Sequence, residues 1–126
     1  METNPLIYAL DDDVVFHQLF KRLLKGYRVE VFERALDFDY ALKNHLPDLI
    51  ILDIRLRDDN GLLILSSIKA NPVTSKIPVV MVSFFSEIAL VKRCIELGAS
   101  QFLDKDNLDM ELLPTVNLVF QDENCR

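Results

Sequence analysis

The chain has 126 residues, half of them hydrophobic, and a formal net charge of −6. This length suits one hydrophobic core, so we expect a single domain over residues 1–126. The acidic balance without a dense basic stripe argues against direct nucleic-acid binding, and no apolar run reaches the roughly 18 residues of a membrane span.

Apolar runs alternate with helical patterns, which is typical of βα units around a parallel sheet. The first strand-like run is Leu6–Leu10. The helix after it has apolar residues at i, i+3, i+4, i+7 and i+8, namely Phe16, Leu19, Phe20, Leu23 and Leu24. Asp13 is expected to cap this helix. The run Arg28–Phe32 alternates polar and apolar residues, which suits an edge strand, and residues 35–46 are a predicted helix before Pro47.

Two continuous apolar runs in the middle of the chain suit buried central strands. They are Leu49–Leu52 and Val79–Val82, and a third helix is predicted between them over residues 62–70. A fourth helix is expected from Ser86 to Leu97, with Gly98 at its C-terminal cap.

The chain ends with a short strand at Phe102-Leu103 and a helical pattern over Met110–Phe120. Pro114 interrupts that pattern, so the last helix is predicted either to start late or to kink. The order of strands and helices predicts a (βα)₅ fold of the α/β class. Its doubly wound, parallel five-stranded sheet would lie in a flavodoxin-like, three-layer sandwich. Right-handed crossovers with an edge strand at residues 28–32 favour the order 2-1-3-4-5.

Charged and hydroxyl side chains follow four of these strands. They are Asp11-Asp12-Asp13 after the first strand, Asp53 after the third, Ser83 after the fourth and Lys105 after the fifth. Because the site of an open parallel sheet lies outside the carboxyl ends of its strands, we expect these side chains to meet. Clustered carboxylates repel one another unless a hard cation neutralises them. The pattern predicts a Mg²⁺ site with one carboxylate left to react.

Asp53 is the candidate nucleophile, because a carboxylate can attack phosphorus and form an aspartyl phosphate. The expected metal ligands are three carboxylates and one backbone carbonyl, from Asp11, Asp12, Asp53 and Arg55. Lys105 can pair with the phosphoryl charge, and Ser83 can donate a hydrogen bond to it. Singly, such residues are more often helix caps, turn residues or surface lysines, so the argument depends on their joint placement.

These residues closely resemble the receiver domain of two-component response regulators, over about residues 5–120. The matching positions are Asp11-Asp12, Asp53, Asn60-Gly61, Ser83, Gly98-Ala99-Ser100, Phe102 and Lys105. The resemblance is to single-domain, chemotaxis-regulator-like receivers, which are signalling phosphoacceptors rather than enzymes. It implies that a sensor histidine kinase or a phosphotransfer protein donates a phosphoryl group to Asp53 with Mg²⁺, or with Mn²⁺ in its place.

The resemblance also implies a switch. The phosphoryl group draws Ser83 inward and Phe102 follows, which changes the face of helix four, strand five and helix five where a downstream effector binds. Three positions depart from the family pattern. Arg57 and Asp106 stand where proline is usual, and Phe84 stands where a small residue is usual. The Lys105–Asp106 bond is therefore predicted to be trans with a shifted lysine, or cis and strained.

The loops bordering the site carry bulky side chains, Arg55 on one and Phe84-Phe85 on the other. A guanidinium can hold phosphoryl oxygens, and a phenyl ring can exclude water. We therefore expect Arg55, Phe84 and Phe85 to tune the rates, giving slow phosphorylation and a long-lived phosphoryl state.

Two alternatives stay open. Asp11–Val15 fits the first motif of haloacid-dehalogenase-type phosphatases, with Asp11 as nucleophile and Asp13 as acid/base, although Asp53 would then have no role. The other is a degenerate receiver that binds partners without phosphate. Cys94 and Cys125 show no metal-ligand spacing and the first residues lack a signal-like segment, so a reduced, cytoplasmic setting is expected.

Overall fold

Five parallel strands form the centre of the structure, a computed structural model that describes residues 4–84 and 87–124, with only the backbone of Glu123 and Asn124. The strands are β1 (Leu6–Leu10), β2 (Arg28–Phe32), β3 (Leu49–Asp53), β4 (Val79–Ser83) and β5 (Gln101–Asp104). They pair in the order β2-β1-β3-β4-β5. The predicted α/β class and strand order are confirmed.

Helices cover both faces of the sheet. They are α1 (Val14–Leu23), α2 (Ala35–Asn44), α3 (Gly61–Ala70), α4 (Ile88–Glu96) and α5 (Leu108–Asn124), with a 3₁₀ turn over Lys105–Asn107. One apolar core joins Phe20 of α1 and Leu112 of α5 to the sheet, and the other joins Phe38 of α2 and Leu65 of α3 to its opposite face. These are the three layers of a doubly wound fold.

Burial along the strands follows their place in the sheet. Every residue of β1, β3 and β4 is buried, whereas β2 at the edge has no fully buried residue. Successive side chains of β3 point to opposite faces, so Ile50 and Leu52 enter one core and Leu49 and Ile51 the other. Each such fully buried side chain stabilises the fold by about 1.5–3 kcal/mol. The rigid centre of the sheet therefore ends directly at Asp53.

Polar caps and backbone geometry set the helix ends. Asp13 caps α1 as predicted, since its carboxylate accepts from the Val15 N–H at 3.0 Å. Gly98 follows α4 with a φ of 107°, a left-handed conformation that glycine adopts without strain. Helix α2 stops at Asn44, two residues before the predicted end, because His45 is already extended and the proline after Leu46 disfavours a helical conformation there. The predicted cap Ser86 lies outside the described residues.

The last helix differs from one of the two expectations. Helix α5 begins at Leu108 and continues through Pro114, so the expected late start is wrong. Proline has no backbone N–H, so Pro114 cannot donate the helical hydrogen bond to the carbonyl of Met110, which lies one turn earlier in the helix. Both residues are exposed, so water can take the place of that hydrogen bond.

Candidate functional site

Lys105 joins two buried acids at the carboxyl edge of the sheet. Its Nζ lies 2.7 Å from Asp11 Oδ2 and donates a hydrogen bond of 3.1 Å to Asp53 Oδ2. The three side chains are only 4 %, 1 % and 6 % exposed for Lys105, Asp11 and Asp53. Strands β1 and β3 are direct neighbours, which is why acids at their two ends face one lysine. The structure therefore brings Asp11, Asp53 and Lys105 together at this edge, as the sequence predicts.

The charge of this cluster is unbalanced. Burial first, and then the neighbouring Asp11 carboxylate, raises the pKa of Asp53 from 3.8 to about 6, although Lys105 and the Arg55 N–H act to lower it. One ammonium is therefore not enough for two buried carboxylates. An additional cation at this edge would stabilise the ionised form of Asp53, which is the form that can act as a nucleophile.

Asp12 completes a group that can hold a metal ion. One carboxylate oxygen from each of Asp11, Asp12 and Asp53 lies within 4.8 Å of the others. The Oδ2 atom of Asp11 is buried and, within the described part of the chain, accepts no hydrogen bond of good geometry, despite its short contact with the Lys105 ammonium. Hard oxygen ligands with a buried, under-satisfied carboxylate suit a hard divalent cation such as Mg²⁺. The donor set therefore fits the ion that the sequence predicts.

The loop between β3 and α3 is held close to Asp53 by its backbone. The Arg55 N–H donates to Asp53 Oδ1 at 3.3 Å, and the Gly61 N–H donates to the Ile54 carbonyl at 2.8 Å. A Cβ on Gly61 would overlap the Asp53 carbonyl oxygen and the Ile54 Cα, so only glycine allows α3 to start here. Asn60 caps α3 by accepting from the Leu62 N–H. The Asn60-Gly61 pair thus fixes the loop behind Asp53.

Ser83 and Phe102 lie on the two strands beyond β3. Ser83 is buried at the end of β4, one residue past the partner of Asp53 in the strand register. Phe102 lies on β5 beside Met81 and packs, partly buried, against the core on the α2–α4 side. Both residues thus lie on the strands to which the sequence assigns them. Their switching roles stay predictions.

Two phenyl rings surround the ammonium of Lys105. Its Nζ lies 4.2 Å from the centre of the Phe16 ring and 5.3 Å from that of Phe84, and the two rings meet edge to face at 5.6 Å. Phe84 is 50 % exposed, so this aromatic pair borders the solvent side of the site. Phe16 was expected only as an inward residue of α1, and Phe85 lies outside the described residues.

Arg57 contacts the acid cluster as well, although this contact was not predicted from the sequence. Its backbone N–H donates to Asp12 Oδ2 at 2.7 Å, and its Nε lies 3.4 Å from the same oxygen. A signal was available, because arginine replaces the usual proline and thereby adds both an N–H and a charge.

The residue after Lys105 does not displace the lysine. The described residues contain no cis peptide bond, so Lys105–Asp106 is trans, and the ammonium still reaches both buried acids. Asp106 is exposed, and its N–H donates to the Asp104 side chain at 2.8 Å.

A groove with a volume of about 1020 Å³ lies away from this site, between α2 and α3. Apolar side chains such as Phe38, Leu42 and Ile68 line it, and none of the acids discussed above does.

A doubly wound sheet with these acids and this lysine at its carboxyl edge is the arrangement that the resemblance predicts for a receiver domain. Residues 7–117 match the family of response regulator receiver domains, and the chain belongs to that family. It is thus a receiver domain of two-component response regulators. The family match supports neither the phosphatase nor the degenerate-receiver alternative.

Individual proteins are similar to this chain in sequence or in structure. The two-component response regulator ORR3 of Oryza sativa subsp. indica is 32 % identical over 82 % of this chain and 82 % of its own length. The transcriptional regulatory protein GltR of Pseudomonas aeruginosa is 29 % identical over 91 % of the chain, which spans about half (48 %) of GltR. The crystal structure of the Mn²⁺-bound form of response regulator Rcp1 has a TM-score of 0.74 and 25 % identity, covering 80 % of this chain and 81 % of that one.

Within residues 4–84 and 87–124, no helix is both long enough and apolar enough to cross a membrane.

Proposed function

We propose that this receiver takes a phosphoryl group onto Asp53 from a phosphohistidine of a sensor kinase or phosphotransfer protein. The observation that carries the proposal is the buried Asp53 carboxylate at the end of a central strand, 3.1 Å from Lys105. A carboxylate oxygen forms the new bond to phosphorus as the phosphorus–nitrogen bond of the donor breaks. The departing imidazole nitrogen keeps the electron pair of that bond.

The neighbouring residues have separate tasks in this step. Lys105 already donates to one Asp53 oxygen, so its ammonium can follow the charge onto the phosphoryl oxygens. The Arg55 N–H on the other oxygen, Oδ1, holds the carboxylate in one orientation. Ser83, buried at the end of β4, would donate its hydroxyl proton to a phosphoryl oxygen.

Mg²⁺ is the cation we assign to Asp11, Asp12 and Asp53, with the Arg55 carbonyl as a further ligand. When bound, it neutralises charge on the carboxylates and on the transferred group. The fit of the donor set supports this assignment, and so does a Mn²⁺-bound relative of the same fold. Mn²⁺ shares the preference for oxygen ligands and should substitute.

The output is a change in protein contacts. The face made by α4, β5 and α5 exposes several large apolar side chains, including Ile95, Met110 and Leu113. Exposed apolar side chains can contact another protein, so we assign the downstream effector to the face for which the resemblance implies it. The net charge of −6 favours a protein effector over nucleic acid for this domain, and we expect it to act in the cytoplasm.

Mapping of the modified residue tests the proposal. The protein is incubated with MgCl₂ and a small phosphodonor, the acyl phosphate is trapped with borohydride, and peptides are analysed. The label should lie on Asp53 and be absent from Asp53→Asn. Asp13→Asn is the matched control, because asparagine also caps a helix and Asp13 lies outside the metal group. A label on Asp11 would instead favour phosphatase chemistry.

Access of water decides how long the phosphoryl group lasts. Hydrolysis needs a water in line with the bond to Asp53, and Phe84 stands beside Lys105 on the exposed side of the site. Phe84→Ala should speed both loading and decay, and Arg55→Asn should speed decay. Leu36→Ala, an exposed apolar residue of α2, is the control. Unchanged rates in both site variants would show that these side chains do not obstruct the reaction.

A further inference from the structure

We propose that Arg57 is a resident cation that competes with Mg²⁺ for Asp12 and so sets the metal affinity of this receiver. The inference rests on the proposed magnesium site. It concerns a side chain that stands where the resembled family usually has a proline, which carries no charge and no backbone N–H.

Arg57 makes two kinds of contact with Asp12. Its backbone N–H donates to Oδ2 at 2.7 Å, which any residue except proline could do. Its guanidinium adds charge, with Nε 3.4 Å from Oδ2 and Nη2 donating to the Asp12 carbonyl at 3.2 Å. The first contact orients the carboxylate, whereas the second neutralises part of the charge that a metal ion would use.

Asp12 is the ligand on which such competition is effective. Asp11 and Asp53 already share Lys105, which is buried and so fixed in place. The Arg57 side chain is 74 % exposed and that of Asp12 18 %. An exposed guanidinium can turn back into water at little cost, so a divalent ion can displace it. The displacement lowers the affinity for the ion without preventing its binding.

Glu33 opposes this effect from a neighbouring loop. Its Oε2 lies 3.5 Å from Nη2 of Arg57, so the guanidinium is shared between Glu33 and Asp12. Glu33 therefore draws positive charge away from the metal ligand. Removing Glu33 should strengthen the pairing of Arg57 with Asp12 and weaken Mg²⁺ binding, in the direction opposite to removal of Arg57.

The same pair of loops offers a matched control. Arg34 is also an exposed arginine, and its Nη2 lies 3.5 Å from Asp58 rather than from any of the proposed ligands. Arg34→Gln changes the net charge of the protein by the same amount as Arg57→Gln. Any difference between the two variants therefore reports the local contact with Asp12 rather than the overall field.

Calorimetric titration of each protein with MgCl₂, in the absence of a phosphodonor, tests the inference. Exposed ion pairs correspond to about 1.5- to 5-fold in an equilibrium constant, so Arg57→Gln should bind Mg²⁺ tighter by that factor and Arg34→Gln by less. Glu33→Gln should bind Mg²⁺ more weakly than the parent. Adding Glu33→Gln to the Arg57→Gln protein should change the Mg²⁺ affinity little. High ionic strength should shrink the difference between Arg57→Gln and the parent.

The outcomes separate two failures. If the parent binds Mg²⁺ and Arg57→Gln binds it equally or more weakly, the competition is refuted while the metal site stands. Equal effects of Arg34→Gln and Arg57→Gln refute it as well, because general charge would then explain both. If the parent and all variants bind no Mg²⁺, the proposed metal site fails and the inference falls with it.

Discussion

Lys105 and Arg57 are two cations on one cluster of acids, and they differ in almost every physical respect. Lys105 is buried, pairs with Asp11 and Asp53, and lies against the Phe16 ring. Arg57 is largely exposed and is shared between Asp12 and Glu33. A buried pair is held strongly and is costly to break, whereas an exposed pair is weak and easily exchanged. The cluster therefore combines one fixed counter-ion with one replaceable counter-ion.

Removal of the fixed cation should have the largest effect. Lys105→Met leaves Asp11 and Asp53 as two buried carboxylates without a counter-ion. We expect the free energy of unfolding to fall by about 3 kcal/mol at neutral pH, measured by urea denaturation in EDTA. The loss should be smaller at pH 5, because the raised pKa of Asp53 allows that carboxyl to be protonated in the folded state.

Lys21→Met, on the exposed surface of α1, is the control for this experiment and should change the stability little. A Lys105→Met protein as stable as the parent at neutral pH would show that the buried ammonium contributes nothing net. The contrast between the two cations would then be wrong.

Removal of one acid from the buried cluster should act in the opposite direction. The folded-state pKa of Asp53 is about 6 and its ordinary value is 3.8, so the folded protein binds that proton more tightly than the unfolded chain. The free energy of unfolding therefore falls as pH rises from about 3.8 to about 6 and Asp53 ionises, and the whole loss is present above that range. Asp53→Asn should therefore raise the free energy of unfolding at neutral pH by about 2 kcal/mol.

The pH dependence of the stability of Asp53→Asn distinguishes an effect of charge from an effect of packing. The advantage of Asp53→Asn over the parent should disappear below about pH 4, where Asp53 is protonated in both states. Asp109→Asn, an exposed acid at the start of α5, should show no such profile. An advantage that persists unchanged at low pH would point to packing rather than to charge.

The contrast between the two cations also shows what the sequence can predict. The ends of β1, β3 and β5 follow from apolar runs, and a parallel sheet brings such ends to one edge, so Asp11, Asp53 and Lys105 could be placed together in advance. The edge position of β2 followed from its alternating pattern. These predictions depend on backbone periodicity, which local sequence encodes directly.

Contacts made by loop side chains could not be predicted from periodic patterns in the sequence. The pairing of Arg57 with Asp12 joins residues 45 positions apart across two loops, and no periodic pattern relates them. The approach of Phe16 to Phe84 depends on side-chain directions at a helix start and in a loop. Pro114 could be recognised as a disturbance of α5, but its tolerance depends on exposure, which only packing of the whole fold decides.

The replaceable cation should have the smallest effect on stability. Arg57→Gln removes an exposed ion pair, so we expect the free energy of unfolding to change by less than about 0.5 kcal/mol, and by less still in high salt. The Arg57 N–H, which any residue but proline supplies, still orients Asp12 in this variant. Denaturation of parent and variant side by side, with Lys105→Met in the same series, measures the contrast directly. A loss comparable to that of Lys105→Met would mean that Arg57 holds the two loops together and is not a replaceable counter-ion.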